Sequence, residues 1–289
     1  MNKSLSGLPA KASGAMPRGP ATPGRRSRRQ AVAARVWPPV AVLVILLLIW
    51  QGAIAVFNLQ PYILPGPWDT VQGGWAVRSD LGTAVRVTFV DSLLGLAFSI
   101  AFGLLIAILI ARFKTLERGL LPYAVVLQTI PIIGIAPLII LWIGTGDVAI
   151  VVIALIIGIF PIISSASLGL ISTDHNLLNM ATMYNATGWQ QMVKLRLPNA
   201  VPYILAGVRI SSGLAVIGAI VGEFFAGTGG PEGGLGDLIQ IANRNLETAE
   251  LFAAILLSSI MGIVIFAAVN GISYFWLRNW HESSARREN

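Results

Sequence analysis

Long apolar runs alternate with short polar segments along most of this chain. Six runs are apolar for about 20 residues or more, the length that an α-helix needs to cross ~30 Å of hydrocarbon. They cover residues 37–57, 85–111, 121–143, 148–170, 203–225 and 251–277. The runs are continuous rather than alternating, so they predict helices and exclude the strands of a membrane β-barrel. The pattern therefore predicts an all-α, polytopic membrane protein with about six transmembrane helices.

Composition supports a lipid environment and excludes several classes of function. Of the 289 residues, 55% are hydrophobic and 11% charged, which is too apolar for a soluble domain of this size. The net charge of +7 comes mostly from the chain ends and from positions beside the apolar runs, as membrane topology requires, so no nucleic-acid partner is expected. The chain has no cysteine and two histidines. Thiolate chemistry is excluded, and no metal, redox centre or other cofactor is predicted.

The distribution of positive charge predicts the topology. Residues 1–36 are rich in Ser, Gly, Ala, Pro and Arg and predict a disordered basic tail. A twin-arginine export signal is the alternative, disfavoured because the next run is as long as a membrane span and no small-residue cleavage site follows it. Lys and Arg also collect after the second, fourth and sixth runs. Both termini, the 172–200 segment and a short tail over 278–289 are therefore expected in the cytoplasm.

Small residues recur at helical spacing on the second and fifth runs. The two stripes are Asp91, Gly95, Ser99, Gly103 and Ala107, and Gly207, Ser211, Ala215, Gly218 and Gly222. Such stripes let helices pack closely in lipid, and they can also line a solute path. Asp91 and Glu223 are the carboxylates within the runs. An ionised group in hydrocarbon is costly, which makes each a functional candidate, although hydration near the outer boundary is an equal alternative.

Prolines interrupt the third and fourth runs at Pro131, Pro137 and Pro161, and three hydroxyls follow the last of these, among them Ser164 and Ser165. A proline removes a helical hydrogen bond and kinks the helix. A kinked helix that carries hydroxyls suits a translocation path, and kinks made for packing alone are equally compatible. The candidate path residues are Ser99, Ser164, Ser165, Asp91 and Glu223. No pairing of side chains indicates a catalytic residue.

A glycine-rich segment at 226–236 superficially resembles a phosphate-binding loop. It lacks the Lys and Ser/Thr that would follow, and no strand precedes it. No Gly-Lys pair occurs anywhere in the chain, so the protein cannot present a Walker A lysine. If ATP energises this protein, another subunit must hydrolyse it, and the segment is expected to be flexible backbone or a docking surface.

The polar segment between the fourth and fifth runs has strong local signals. Asp174 is placed to cap a helix over 175–184, and Asn185 tolerates a left-handed turn. Thr187 followed by Gln190 predicts a capping box and a second helix over 188–197, which Pro198 is expected to end. Two short helices joined at a bend can dock in the groove of a partner or lie on the membrane surface.

This segment resembles the cytoplasmic loop of the permeases of binding-protein-dependent ATP-binding-cassette (ABC) importers, whose pattern is E-A-A, three residues, G, nine residues, I-x-L-P. Asn179-Met180-Ala181 stands at E-A-A, Asn185 at the glycine and Leu195-Arg196-Leu197-Pro198 at I-x-L-P. Asn179 and Asn185 depart from the pattern, and the former removes a charge. The stretches at 64–67, 86–88 and 233–236 are similar to the nitrate, sulfonate and taurine branch, and the likeness covers about residues 60–280.

The resemblance implies a type I importer permease that is not itself an enzyme. Its partners would be an ABC ATPase subunit, an extracytoplasmic solute-binding protein and a second permease copy, most simply in a homodimer. The implied solute is of the nitrate, sulfonate, taurine or vitamin-precursor type. The implied coupling residues are Asn179, Met180, Ala181, Tyr184, Asn185, Thr187, Gly188, Leu195, Leu197 and Pro198. The alternative is a secondary transporter driven by an ion gradient, for which inverted repeats and midspan ionisable residues would be expected.

Overall fold

The computed structural model describes residues 25–227 and 233–285, and no strand occurs among them. Contacts divide the chain into two units, Met1–Ala53 and Ile54–Asn289. The helices are α1 (Arg25–Phe57), α2 (Pro67–Ala76), α3 (Arg78–Arg112), α4 (Lys114–Leu127), α5 (Ile132–Ile143), α6 (Asp147–Ile171), α7 (His175–Met183), α8 (Gly188–Gln191), α9 (Leu197–Ala226), α10 (Leu235–Asn245) and α11 (Thr248–Ala285), with a π-helical turn at Met192–Arg196.

The described part of the first unit is most of α1. The predicted disordered tail falls partly on this helix, because residues 25–36 are helical, whereas residues 1–24 lie outside the described residues. Arg, Ala and Gln are good helix formers, and extending an existing helix costs far less than nucleating one. From residue 37 onward the side chains are apolar and largely exposed, as expected of a helix that faces lipid.

Within the described residues, five helical runs are long and apolar enough to cross a membrane, and they contain five of the six predicted spans. The third predicted span, 121–143, is not one helix. It is divided into α4 and α5 by a non-helical stretch, Gln128–Pro131. Pro131 has no N–H and disfavours helical backbone in the residue before it, so the helix stops and restarts there.

The other differences lie near the ends of the predicted spans. α11 continues to Ala285, which makes most of the predicted tail at 278–289 helical, and residues 286–289 lie outside the described residues. Two short helices, α2 and α10, were not predicted. They have 10 and 11 residues, about half the length of a span, so a search for long apolar runs does not find them.

The core of the second unit forms where α6 packs between α3 and α9. The two predicted small-residue stripes lie at these contacts. A Cβ atom at Gly218 would lie 2.6 Å from the Cα atom of Ala154, and one at Gly103 would lie 2.8 Å from the side chain of Ile162. Residues larger than glycine cannot be placed there without moving a helix. Helix packing therefore explains the glycines of both stripes.

Hydroxyl groups add hydrogen bonds to these helix contacts. The Ser99 hydroxyl on α3 lies 2.8 Å from its own-helix Gly95 carbonyl oxygen and 3.0 Å from the Leu155 carbonyl oxygen on α6. The Ser211 hydroxyl on α9 donates to the Gly158 carbonyl oxygen on α6 at 2.6 Å. Bonds of this kind between helices stabilise packing where lipid supplies no hydrophobic driving force.

Candidate functional site

We call residues 174–198 the α7–α8 loop. At its start, the Asp174 carboxylate accepts a hydrogen bond from the backbone N–H of Asn176 at 2.9 Å. The helix that follows, α7, runs from His175 to Met183, which confirms the predicted cap and helix. Leu178 is the buried residue of this helix.

The bend after α7 is a Schellman motif with asparagine in the left-handed position. Asn185 has φ 57°, which confirms the predicted left-handed turn. Its N–H donates to the Thr182 carbonyl oxygen at 2.9 Å, and the Ala186 N–H donates to the Ala181 carbonyl oxygen at 3.0 Å. These two bonds satisfy the last carbonyl groups of α7 and fix the direction of the chain.

The second half of the loop starts with the predicted capping box. The Gln190 N–H donates to the Thr187 hydroxyl at 3.3 Å, and the Thr187 N–H donates to the Gln190 side-chain oxygen at 2.9 Å. The Gln191 amide nitrogen lies 3.1 Å from the Thr182 hydroxyl and 3.3 Å from the Ala186 carbonyl oxygen. Gln191, which no sequence signal indicated, therefore ties the two halves of the bend together.

The prediction that Pro198 ends the second helix is wrong. Residues from Gly188 to Ala226 form one continuous helical run, in which α8 leads through the π turn into α9. The Leu197 N–H donates to the Met192 carbonyl oxygen, five residues back, and Pro198 occupies the first turn of α9. Proline lacks a donor and clashes with the carbonyl four residues back in a regular α-helix, and the wider π turn relieves both problems.

Large apolar side chains project from the α7–α8 loop. Met183 is 84% exposed, Tyr184 81% and Trp189 65%, and Leu177 and Met180 are also exposed. The other predicted coupling residues divide into two groups: Asn179, Asn185, Thr187 and Gly188 are exposed, and Ala181, Leu195, Leu197 and Pro198 are half-buried. An exposed apolar surface on a structure whose bend is fixed by hydrogen bonds is typical of a docking site.

Two arginines join this loop to the C-terminal end of α3. The Arg196 guanidinium donates to the Ala111 carbonyl oxygen at 3.1 Å, and the Arg112 guanidinium packs beside Gly188. A cation at the carbonyl end of a helix is favoured by the helix dipole. The loop is thus attached to α3 as well as to α6 and α9, a link between residues 85 positions apart that no local pattern in the sequence shows.

At the opposite end of α9, the two predicted carboxylates are buried. Glu223 is 0% exposed and Asp91 4%, so hydration at a boundary does not explain either of them. The Glu223 carboxylate accepts from the Thr88 hydroxyl at 2.9 Å and from the Gly236 N–H at 2.8 Å. The Leu235 N–H donates in turn to the Thr88 hydroxyl at 2.8 Å. We call Thr88, Glu223, Leu235 and Gly236 the Glu223 site.

The remaining path candidates lie on different surfaces. Ser99 is fully buried between α3 and α6, whereas Ser164 and Ser165 are half-buried. A cavity of about 400 Å³ lies between α5, α6 and α9, and Gln128, Phe160 and Pro161 are among its lining residues. Ser164 and Ser165 lie one helical turn after Phe160 and Pro161 and so continue the same face. A solute path through any of these residues stays a prediction.

The chain resembles proteins of one transport family along most of its length. Residues 99–287 match the family described as "Binding-protein-dependent transport system inner membrane component". The chain is 32% identical over 82% of its length to a probable ABC transporter permease protein of Haemophilus influenzae, covering 95% of that protein. It is 33% identical over 80% of its length to the formylaminopyrimidine transport permease protein ThiX of Halalkalibacterium halodurans, covering 91% of that protein.

The fold is also that of a solved importer. A chain in an inward-facing structure of the MetNI methionine ABC transporter superposes with a TM-score of 0.53 at 20% identity, covering 67% of this chain and 94% of that one. Taken with the membrane helices and the α7–α8 loop, these matches define a polytopic permease. The chain belongs to the inner-membrane components of binding-protein-dependent transport systems. It is the membrane-spanning permease of an ABC importer, as the family resemblance of the loop predicted.

Proposed function

We propose that the α7–α8 loop receives an ABC ATPase subunit and converts its closure into movement of α9 and α3. The observation that carries the proposal is the fixed bend, with Asn185 in a left-handed conformation between two capped helices. A docking element needs a fixed angle, because a mobile one loses conformational entropy at each engagement. The exposed Met183, Tyr184 and Trp189 supply the apolar contact.

The same proposal specifies the topology and the partners. The excess of Lys and Arg near the α7–α8 loop and at the chain ends supports cytoplasmic termini in an inner-membrane, multi-pass protein. α10 then lies on the outer side, where an extracytoplasmic solute-binding protein would dock. A second copy of this chain completes the path as a homodimer. ATP hydrolysis belongs to the separate ATPase subunit, since this chain has no Gly-Lys pair for a Walker A loop.

The imported solute is a small polar compound of the nitrate, sulfonate, taurine or vitamin-precursor type. Some similar permeases are named for such solutes. The chain is 28% identical to the putative aliphatic sulfonates transport permease protein SsuC of Bacillus subtilis. It is 25% identical to the nitrate import permease protein NrtB of Synechococcus elongatus. These relatives, and the formylaminopyrimidine permease, support ATP-driven import over transport by an ion gradient.

We place the solute path along the face that carries Ser164 and Ser165 and the break between α4 and α5. Gln128–Pro131 is non-helical and exposed near the middle of an apolar segment. Irregular backbone at membrane depth is tolerated only where protein buries it or where it lines an aqueous cavity. Ser99, Asp91 and Glu223, which were also predicted for the path, are engaged in helix contacts or buried, and their part in it would be indirect.

Site-directed cross-linking tests the docking proposal. Because the chain has no native cysteine, a thiol reagent can react in this subunit only at the introduced position. Met183→Cys, at the most exposed of the large apolar side chains of the loop, should cross-link to the ATPase subunit in native membranes through a short bifunctional thiol reagent. Trp142→Cys is the matched control, because Trp142 is 75% exposed near the opposite end of α9. Cross-linking from both positions, or from neither, would contradict a specific dock at the loop.

A further inference from the structure

Two sequence stretches that are far apart in the chain meet at the Glu223 carboxylate. Thr88 belongs to the 86–88 stretch on α3, and Leu235 and Gly236 belong to the 233–236 stretch that begins α10. The Thr88 hydroxyl and the Gly236 N–H both donate to the Glu223 carboxylate, and the Leu235 N–H donates to the Thr88 hydroxyl, at distances of 2.8–2.9 Å. The hydrogen bonds join positions separated by 135, 147 and 13 residues.

The glycines at 234 and 236 are what allow this approach. A Cβ atom at Gly234 would overlap the Glu223 carboxylate, and one at Gly236 would lie 2.7 Å from the Glu223 Cβ atom. α10 therefore begins directly against α9, with no side chain between them. Close packing against Glu223 explains the glycines at 234 and 236, whereas residues 228–232 of the glycine-rich segment lie outside the described residues.

The carboxylate acts as a cap supplied by another helix. The first N–H groups of any α-helix have no partner within the helix, and the partial positive charge there favours an anion. At the start of α10, the Leu235 N–H is satisfied by Thr88 and the Gly236 N–H by Glu223. All four residues of the Glu223 site are buried. Loss of the Thr88 hydroxyl would leave the buried Leu235 N–H unpaired and would remove the direct bond between α3 and Glu223, so the site holds α10 firmly.

α9 connects this site to the α7–α8 loop. The helical run from Gly188 to Ala226 has 39 residues, and Glu223 lies one turn before its end. At 1.5 Å per residue the run is about 58 Å long, enough to reach across the membrane. Gln240 on α10 also donates to the Phe224 carbonyl oxygen at 2.8 Å, next to Glu223.

We propose that Thr88 and Glu223 are positioning residues that fix α10 to α3 and α9, so that a movement of the α7–α8 loop is transmitted to the outer surface of the permease. This inference rests on the proposed coupling function. The site provides a rigid joint, since two backbone N–H groups, a hydroxyl and a carboxylate hold the start of one helix against two others. Thermodynamic coupling is reciprocal, so an event at α10 would equally affect the ATPase end.

The test measures the reactivity of an exposed position on α10 while the ATPase is held in its closed state. A single cysteine, Asn243→Cys, is introduced on α10, and the complex of permease and ATPase is reconstituted in liposomes. Its reaction rate with a membrane-impermeant maleimide is measured before and after trapping the ATPase with ATP and vanadate. With Thr88 in place, trapping should change the rate about fivefold or more, the lower range of allosteric coupling.

In the Thr88→Val variant the labelling rate should no longer respond to trapping, because valine lacks the hydroxyl that bonds to Glu223 and Leu235. Valine has nearly the same shape as threonine, so the packing is kept. Thr88→Ser should keep the response to trapping. Gln240→Leu is a second control, since it removes an α9–α10 hydrogen bond outside the Glu223 site. If Thr88→Val does not assemble with the ATPase, Glu223→Met decides: it keeps most of the side-chain volume and removes both acceptor oxygens, so the response of the labelling rate to trapping should again be lost.

A labelling rate that still responds to trapping in Thr88→Val, or in Glu223→Met where that variant decides, would overturn the inference. So would the absence of any change with Thr88 in place. The cross-link from Met183→Cys to the ATPase separates these outcomes from a failure of the coupling proposal. If the cross-link forms and labelling at position 243 does not respond to trapping, the loop docks as proposed and only the transmission to α10 is wrong.

Discussion

At the residue scale, serine side chains lie in different settings within the bundle. Ser99 is buried at the contact of α3 and α6, whereas Ser164 and Ser165 are half-buried on the face that continues from the cavity. Hydroxyl content alone does not distinguish these settings in the sequence, because burial depends on the helix that packs opposite. The path assignment for the serines of α6 is therefore open to a direct test.

We expect Ser164→Ala and Ser165→Ala to leave assembly with the ATPase intact and to alter the rate of solute uptake, since each removes a polar group from the proposed path. Ser99→Ala is the matched change. It should lower the stability of the complex by about 0.6 kcal/mol, the average for a hydrogen bond between membrane helices, with little effect on uptake. Uptake kinetics in proteoliposomes and thermal unfolding measure the two effects. Unchanged uptake in both α6 variants would remove these residues from the path.

The local signals of the α7–α8 loop could be predicted from sequence because each joins residues close in the chain. The Asp174 cap and the Thr187 capping box span two and three residues. The Glu223 site was not predictable in the same way, since its partners are 13 and 135 residues away. Sequence marked Glu223 as unusual because of its charge, and only the fold supplies its partners.

At the scale of helices, backbone geometry determines which of the helices predicted from sequence the structure confirms. Five predicted spans lie within helices because about 20 apolar residues suffice to predict one. Prolines gave opposite outcomes. Pro131 is the last residue of the non-helical break before α5, whereas the helix continues through Pro198 after a π turn. The difference depends on whether preceding carbonyl groups find partners, which a single sequence does not reveal.

The helix contacts also predict an asymmetry between two glycines of α9. Gly218→Ala should lower the free energy of unfolding by about 1–3 kcal/mol, the usual cost of overpacking, because the new Cβ would lie 2.6 Å from the Ala154 Cα atom. Gly213→Ala is the control on the same helix, where a Cβ atom meets nothing within 4 Å. Recovery of monodisperse protein after graded heating would compare them. Equal recovery would argue against close packing of α6 and α9.

At the scale of the whole molecule, the charge distribution predicts which end faces the cytoplasm. Met183→Cys on the α7–α8 loop and Asn243→Cys on α10 are both exposed single-cysteine positions. In intact cells, a membrane-impermeant thiol reagent should label position 243, whereas position 183 should react only after the cytoplasmic side is opened. The reverse order, or labelling of both from outside, would contradict the proposed orientation.

The central claim is that the bend at Asn185 couples ATP hydrolysis to transport, and one pair of substitutions at that residue tests it most directly. Asn185→Gly keeps the left-handed backbone freely, and Asn185→Pro forbids it and removes the N–H that bonds to Thr182. The measurement is ATP-dependent solute uptake in proteoliposomes, with the amount of bound ATPase subunit recorded for each variant. We expect uptake and bound ATPase to persist in Asn185→Gly and to be lost in Asn185→Pro. Full uptake with Asn185→Pro would contradict the account and leave the loop as an amphipathic element on the membrane surface.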